Sequence, residues 1–64
     1  MMPLRYSELK KELRKMGCRV HHEGGNHEIW FSPITGNLFP VSRHNTEEVK
    51  AGTLKSIRQA AGLK

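Results

Sequence analysis

The 64-residue sequence contains no aspartate, a single cysteine and no long apolar run. The lack of aspartate weakens any nuclease scheme with two metal ions, because such sites are built from clustered carboxylates. Cys18 alone cannot form an internal disulfide, which is typical of a protein from a reducing cytoplasm. No stretch approaches the roughly 20 apolar residues of a membrane span, and the first residues lack the hydrophobic core of a signal peptide. We therefore expect a soluble, cytoplasmic protein with no membrane partner.

Several signatures of enzyme chemistry are also missing from the sequence. There is no P-loop, no Cys-x-x-Cys pair and no serine nucleophile elbow. Cys18, His21, His22 and His27 lie close together in the chain, yet their spacing does not form the compact ligand pairs of a structural zinc site. The sequence therefore predicts no metal and no cofactor.

Positive charge, by contrast, is abundant. Eleven lysine and arginine residues against six acidic residues give a formal net charge of +5. A basic surface favours an anionic partner, and nucleic acid is the first candidate. A membrane surface or an acidic protein would also suit this charge, but neither predicted helix is a basic amphipath with bulky aromatic residues. We expect one domain over residues 1–64, with a shallow groove for a polymer rather than a deep pocket.

Two segments of the chain have the apolar spacing of a helix. The first begins at a cap, Ser7, and ends at Gly17, where a left-handed residue is expected. Its apolar positions are Leu9, Leu13 and Met16. Its outward residues are predicted to form a basic face, made of Lys10, Lys11, Arg14 and Lys15.

The second helix is predicted to begin at a Thr53 cap and to end at Gly62. Its apolar stripe consists of Leu54, Ile57 and Ala61. Lys55 lies on the outward side of this helix. The segment before it, residues 43–52, has little periodicity and is predicted to be a loop.

Three strands are predicted between the helices, over residues 18–23, 27–32 and 38–42. Gly24-Gly25-Asn26 is predicted to form the hairpin turn between the first two strands, and Pro40 favours an edge position for the third. The resulting α-β-β-β-α order predicts an α+β fold. In this fold a three-stranded antiparallel sheet carries both helices on one face and leaves the other face open.

The four histidines are the first candidates for chemistry, because imidazole has an ordinary pKa of about 6.5 and transfers protons in both directions near neutrality. His21 and His22 are consecutive on a strand, so we expect them to point to opposite faces. His27 follows a glycine pair that lets a bulky polyanion approach the ring. It is the candidate catalytic residue. The alternative is a half-buried residue, since strand alternation places it with Ile29 and Phe31.

Motifs along nearly the whole chain resemble one known family. They are Tyr6-Ser7-Glu8-Leu9, Leu13-Arg14-Lys15-Met16-Gly17-Cys18, Gly25-Asn26-His27, Val41-Ser42-Arg43-His44, Gly52-Thr53-Leu54-Lys55-Ser56-Ile57 and Ala61-Gly62-Leu63. Together they closely resemble the HicA family, toxins of bacterial and archaeal toxin–antitoxin pairs. The resemblance implies a single HicA-like domain with a fold similar to a double-stranded-RNA-binding domain. It also implies an mRNA interferase, a metal-independent endoribonuclease held inactive in a hetero-oligomer by a HicB-type antitoxin.

The family signature Gly-Ser/Thr-His corresponds here to Gly25-Asn26-His27, so the resemblance implies that His27 is the catalytic residue. Asn26 replaces the usual hydroxyl residue, and Ser42 stands where the family commonly has proline. RNA carries its own nucleophile, the 2′-OH, so a base at His27 has only to remove that proton. His44 is a candidate second proton-transfer group. The candidate RNA and phosphate contacts are Gly25, Asn26, Arg43, His44, Lys50, Lys10, Lys11 and Lys55.

Trp30 is predicted to lie on the strand face opposite Ile29 and Phe31. On that face it either stacks an RNA base, packs against an antitoxin or another subunit, or covers the sheet edge or a helix. For the chain as a whole, the alternative function is a small RNA-binding module without catalysis.

Overall fold

The computed structural model describes residues 4–62, so Leu63 of the last motif and the first three residues lie outside the described part. The elements are α1 (Tyr6–Lys15), β1 (Arg19–Gly24), β2 (His27–Phe31), β3 (Leu38–Ser42) and α2 (Ala51–Ala61). The strands form one antiparallel sheet in the order β1-β2-β3, which places β3 at an edge as Pro40 predicts. The predicted α-β-β-β-α fold is therefore confirmed, and the strand bounds agree within one residue.

Both helices pack against the same face of the sheet. Leu9 and Leu13 of α1 and Ile57 and Ala61 of α2 are buried with the inward side chains of the strands. The buried core consists of Leu9, Leu13, Cys18, Trp30, Phe39, Val41, Val49, Ile57 and Ala61. Every residue of β1, in contrast, is exposed. The core thus lies on one side of a thin sheet, and neither helix covers the other side.

The helices end where predicted but begin elsewhere. Gly17 and Gly62 have φ of +93° and +98°, the left-handed conformation expected after a helix. The predicted Ser7 cap is wrong: α1 begins at Tyr6, and the amides of Tyr6 and Ser7 donate to the carbonyls of Glu47 and Asn45. Because loop carbonyls bind these amides, the helix start does not need a serine side chain.

The start of α2 differs from the prediction in the same way. Thr53 lies inside the first turn rather than at the cap, because the helix extends back to Ala51 and Lys50 occupies the cap position. The amide of Leu54 donates to the carbonyl of Lys50 over 2.8 Å, which closes this earlier turn. Gly52 and Thr53 are therefore helical residues, and the preceding loop ends at Lys50.

A charged cluster joins α1 to the sheet. Lys10 is only 4% exposed, and its Nζ lies 3.0 Å from Glu28 Oε1 on β2 and donates to Asn45 Oδ1 over 2.6 Å. Glu28 Oε1 also accepts a hydrogen bond from Trp30 Nε1 over 3.1 Å. The prediction that Lys10 lies on the outward basic face of α1 is therefore wrong. Its ammonium is turned towards the sheet because β2 presents a carboxylate there.

This cluster makes stability depend on acid pH. Burial raises the pKa of Glu28, but hydrogen bonds from Lys10 and Trp30 and the charges of Lys10 and Arg43 outweigh it and hold the pKa below its ordinary 4.5. A lowered folded-state pKa contributes stability above the unfolded-state value, which is lost as pH falls through the folded-state value. We expect the free energy of unfolding to fall as pH drops below about 4.5.

Glu28→Gln tests this expectation in urea unfolding followed by circular dichroism from pH 7 to pH 3. The free energy of unfolding of the variant should be about 1–3 kcal/mol lower than that of the wild type at pH 7, since Lys10 keeps a buried charge without its ionic partner. It should also show a flatter decline below pH 4.5 than the wild type. Glu47→Gln, at an exposed loop residue, is the matched control and should stay within about 0.5 kcal/mol at pH 7. Equal acid slopes in wild type and Glu28→Gln would contradict the assignment.

Candidate functional site

The hairpin between β1 and β2 exposes its backbone at a two-residue turn. Gly24 pairs with His27, so Gly25 and Asn26 are the two central residues. Gly25 has φ of +49°, and within residues 4–62 no residue other than glycine has positive φ. These signs are those of a II′ turn, which requires glycine at the first central position. A Cβ built at Gly24 or Gly25 would have no neighbour within 4 Å, so a large ligand can reach the turn from outside.

His27 is the first residue of the central strand and is exposed. It pairs with Gly24 on β1 and with Ser42 on β3. Directly opposite side chains in a sheet have Cβ atoms about 4.5–5.5 Å apart. The ring therefore has the Ser42 side chain on one flank and no side chain on the other. No side-chain hydrogen bond within the described residues engages the His27 ring.

Arg43 ties the end of β3 to the hairpin. Its Nη1 donates to the carbonyl of Gly25 over 3.3 Å, and its Nη2 lies 3.0 Å from Glu23 Oε1. Its backbone amide donates to the carbonyl of Asn26 over 3.3 Å. The Arg43 side chain remains 46% exposed. The structure thus brings Gly25, Asn26 and Arg43 together around the strand end that carries His27.

His44 is positioned next to this group through Ser42. The backbone amide of His44 donates to Ser42 Oγ over 3.1 Å, and Ser42 is the strand partner of His27. His44 is exposed. Ser42 itself is a neighbour of His27 that the sequence does not identify as a site residue, because the register between β2 and β3 is not visible in the sequence.

The remaining predicted contacts lie apart from the hairpin. Lys10 is buried against Glu28, as described above, which leaves it unable to present its ammonium to a ligand. Lys11 is exposed on α1, and Lys50 and Lys55 are exposed at the start of α2 and within it. In the part of the chain that the structure describes, no ion pair or side-chain hydrogen bond links these three lysines to the hairpin.

Trp30 is a core residue rather than a base-stacking platform. Its side chain is fully buried, its Nε1 donates to Glu28, and the Arg14 guanidinium lies 5.4 Å from the ring centroid. Of the alternatives for this side chain, stacking on an RNA base does not agree with the structure, because the strand face of Trp30 is the one that the helices cover. The alternative that it packs against a helix is confirmed.

His21 and His22 also differ from the prediction. Their Nδ1 atoms are 2.8 Å apart and their ring centroids 5.1 Å apart, so the two rings touch instead of pointing to opposite faces. The cause is an irregularity in the β1–β2 register between Val20 and His22, where a bulge interrupts the alternation of side chains. Within residues 4–62, no group of three histidine, cysteine or acidic side chains forms a metal-binding cluster.

The uncovered side of the sheet carries a characteristic set of residues. Strand pairing places Arg19 beside Phe31 and Leu38, His22 beside Ile29 and Pro40, and His27 beside Ser42. We call this surface the open face; it consists of Arg19, His21, His22, His27, Ile29, Phe31, Leu38, Pro40 and Ser42. None of these nine residues is acidic. The same alternation that buries Trp30 therefore places His27 on a surface without carboxylates.

Taken together, these features define a small basic α+β protein with an accessible histidine at the tip of a hairpin. A family model described as "HicA toxin of bacterial toxin-antitoxin" matches residues 6–63. The chain therefore belongs to the HicA toxin family, and this membership implies an antitoxin partner. No curated protein and no solved structure matches the chain. Neither described helix has the length and apolar character needed to cross a membrane.

Proposed function

We propose that this toxin is an endoribonuclease that cleaves mRNA without a metal ion, with His27 as its general base. The observation that carries the proposal is the exposed imidazole at the start of β2, flanked by a glycine and adjacent to the Arg43-bound hairpin. The match to the HicA toxin family over residues 6–63 adds to it, because toxin activity requires a target in the cell.

The chemistry needs few protein groups because RNA supplies the nucleophile. His27 takes the proton of the 2′-OH, and the 2′ oxygen forms a bond to the adjacent phosphorus. The bond from phosphorus to the 5′ oxygen of the next nucleotide breaks, and that oxygen takes a proton from water or from His44. The products of this step are a 2′,3′-cyclic phosphate and a 5′-hydroxyl end.

Arg43 is suited to neutralise the charge that develops on the phosphate. A guanidinium has five N–H donors. Within residues 4–62, Nη1 and Nη2 of Arg43 are the nitrogens engaged, by Gly25 and Glu23. Donors therefore remain for a phosphate oxygen while the side chain stays anchored to the turn. A preorganised donor of this kind stabilises a transition state more than a mobile one does. In the proposed complex, the exposed amide of Gly25 and the side chain of Asn26 add contacts to the same phosphate.

The more distant lysines have a different proposed role. Lys11, Lys50 and Lys55 are exposed and lie outside the hairpin, so they contribute to the general attraction of a polyanion rather than to the reaction. One positioned base typically accelerates a reaction about 10²- to 10⁴-fold. We therefore expect slow turnover, which is sufficient for a toxin acting on an intracellular message pool.

The proposed antitoxin is a HicB-type protein that forms a hetero-oligomer with this chain and covers His27. Family membership supports a partner of this kind. A partner that binds only the folded toxin also stabilises it by mass action. For a domain with a core on one side of its sheet, this stabilisation is a substantial gain.

Cleavage by purified toxin tests the proposal directly. We expect a single-stranded RNA to be cut at an unchanged rate in excess EDTA, with 5′-hydroxyl ends on the products. The matched substrate with 2′-deoxyribose throughout should remain intact, since it lacks the nucleophile. Activity that disappears in EDTA and returns with added Mg²⁺ or Mn²⁺ would show that the chemistry depends on a metal.

A second candidate function, RNA binding without cleavage, is favoured by one observation. General bases are usually oriented by a hydrogen bond to a third group, and within residues 4–62 the His27 ring has none. In that case the protein would bind the same RNA but leave it intact even at high protein concentration. The cleavage experiment therefore separates the two functions.

A further inference from the structure

The open face carries one formal positive charge, that of Arg19, and no acidic residue. Arg19 is exposed there, and within the described residues no carboxylate forms an ion pair with it. The two glutamates of the strands do not belong to the open face: Glu28 binds Lys10 on the helix side of the sheet, and Glu23 binds Arg43 at the hairpin. A polyanion lying across this face therefore meets positive charge and no opposing carboxylate.

The far end of the open face from His27 forms a shallow groove. A depression of about 400 Å³ is lined by Arg19, His21, Phe31, Gly36 and Leu38. Leu38 is 51% exposed and Phe31 is half-buried, and neither residue belongs to the core cluster. An aromatic ring beside an unpaired guanidinium is the combination that binds a nucleotide, through stacking on the base and contact with the phosphate.

The groove and His27 lie on one line along the central strand. Phe31 is four residues after His27, which at about 3.3 Å per residue separates them by about 13 Å. Because the residues are at positions i and i+4 of the same strand, they point to the same face. A strand of RNA that places a phosphodiester at His27 therefore has further nucleotides in reach of Phe31 and Arg19.

We propose that the open face is the binding track for single-stranded RNA, with Phe31 stacking a base and Arg19 contacting a phosphate next to the bond at His27. This inference rests on the proposed function and specifies its substrate as unpaired RNA. Duplex RNA does not fit as well, because its bases are stacked on one another and leave none for Phe31.

The test uses the non-cleaving His27→Ala protein, so that binding is measured without turnover. Fluorescence anisotropy gives the Kd for a fluorescein-labelled single-stranded RNA of mixed sequence and for the same strand annealed to its complement. We expect tighter binding of the single strand. Phe31→Leu should weaken it roughly 5- to 100-fold, whereas Phe31→Tyr, which keeps an aromatic face, should bind like the parent.

Arg19→Gln should reduce the slope of log Kd against log salt concentration by about 0.7, which is the contribution of one phosphate contact in a single strand. Lys15→Gln is the matched charge control on α1, away from the open face, and should leave the slope unchanged. As a readout that needs no further variant, RNA titrated into the labelled His27→Ala protein should shift the amide resonances of β1 and Phe31 in NMR spectra. Shifts confined to the two helices would overturn the proposal.

Two other results would also overturn it. One is an RNA affinity that is unchanged in Phe31→Leu. If that variant also failed to bind an antitoxin, the open face would be a protein interface and not an RNA-binding surface. The other is duplex binding as tight as single-strand binding. If the wild-type protein cleaves no RNA but His27→Ala binds single strands through Phe31 and Arg19, the proposed cleavage fails and the binding track stands.

Discussion

Replacing His27 with alanine should abolish detectable RNA cleavage and relieve growth arrest, while the fold and antitoxin binding are retained. The expected loss is about 10²- to 10⁴-fold, the contribution of one positioned general base. Because the side chain is exposed and has no hydrogen-bond partner in the described part of the chain, its removal should change the free energy of unfolding by less than about 0.5 kcal/mol. Cleavage rates and urea unfolding curves measured on the same preparation separate these effects.

Gln59→Ala is a suitable control for the His27 experiment, because it truncates an exposed side chain of α2 far along the chain from the hairpin. It should cleave RNA and arrest growth like the wild type. A His27→Ala protein that still cut RNA at the wild-type rate would remove His27 from the mechanism, whatever its effect on RNA affinity. His44 would then be the next residue to replace.

Trp30→Ala should have the largest effect on stability of any single change in the sheet. Truncating a buried tryptophan typically costs about 3–5 kcal/mol. At about 0.05–0.15 kcal/mol per residue, a chain of this length has roughly 3–10 kcal/mol in total. The substitution should therefore remove a large share of the free energy of unfolding, and at the lower end of that range the variant should be unfolded. The indole also donates to Glu28 and lies under Arg14, and both contacts disappear with it. Urea unfolding followed by circular dichroism measures the loss.

Trp30→Phe is the matched variant, since it keeps an aromatic ring in the core and removes only the Nε1 donor and part of the ring volume. It should cost less than the alanine variant and retain RNA binding. A Trp30→Ala protein with wild-type stability and weakened RNA binding would place the side chain on the surface, in contradiction to its complete burial.

Local sequence signals predicted most of the fold. The helical spacing of Leu9 and Leu13, the glycines after both helices and the Gly24-Gly25-Asn26 turn are signals that span only a few residues. Each predicted feature is present, although Gly24 is the last residue of β1 and the turn itself is Gly25-Asn26. The helix starts could not be predicted in this way. The first amides of α1 are bound by carbonyls of residues 45 and 47, which lie more than thirty residues away in the chain.

The positions of the side chains around the site could not be predicted from the alternation of residues along a strand alone. Alternation separates Trp30 from Ile29 and Phe31 but does not tell which set faces the helices, because both sets are apolar and bulky. The bulge that brings the His21 and His22 rings together cannot be recognised from the sequence. Lys10 is predicted to be a surface residue from its position on the helix. Its burial follows from the contact with Glu28 on β2, which the local sequence does not show.

The Lys10–Glu28 pair also bears on how an unenclosed site can work. Glu28 is the residue directly after His27, so the backbone that carries the imidazole is anchored to α1 and to the indole of Trp30. The conformational entropy of that strand end is therefore lost when the chain folds. Binding of a ligand then requires no further loss of backbone entropy there. A ligand then has only to order one imidazole about its χ angles, so the proposed reaction at His27 would require less ordering than the exposure of this surface implies.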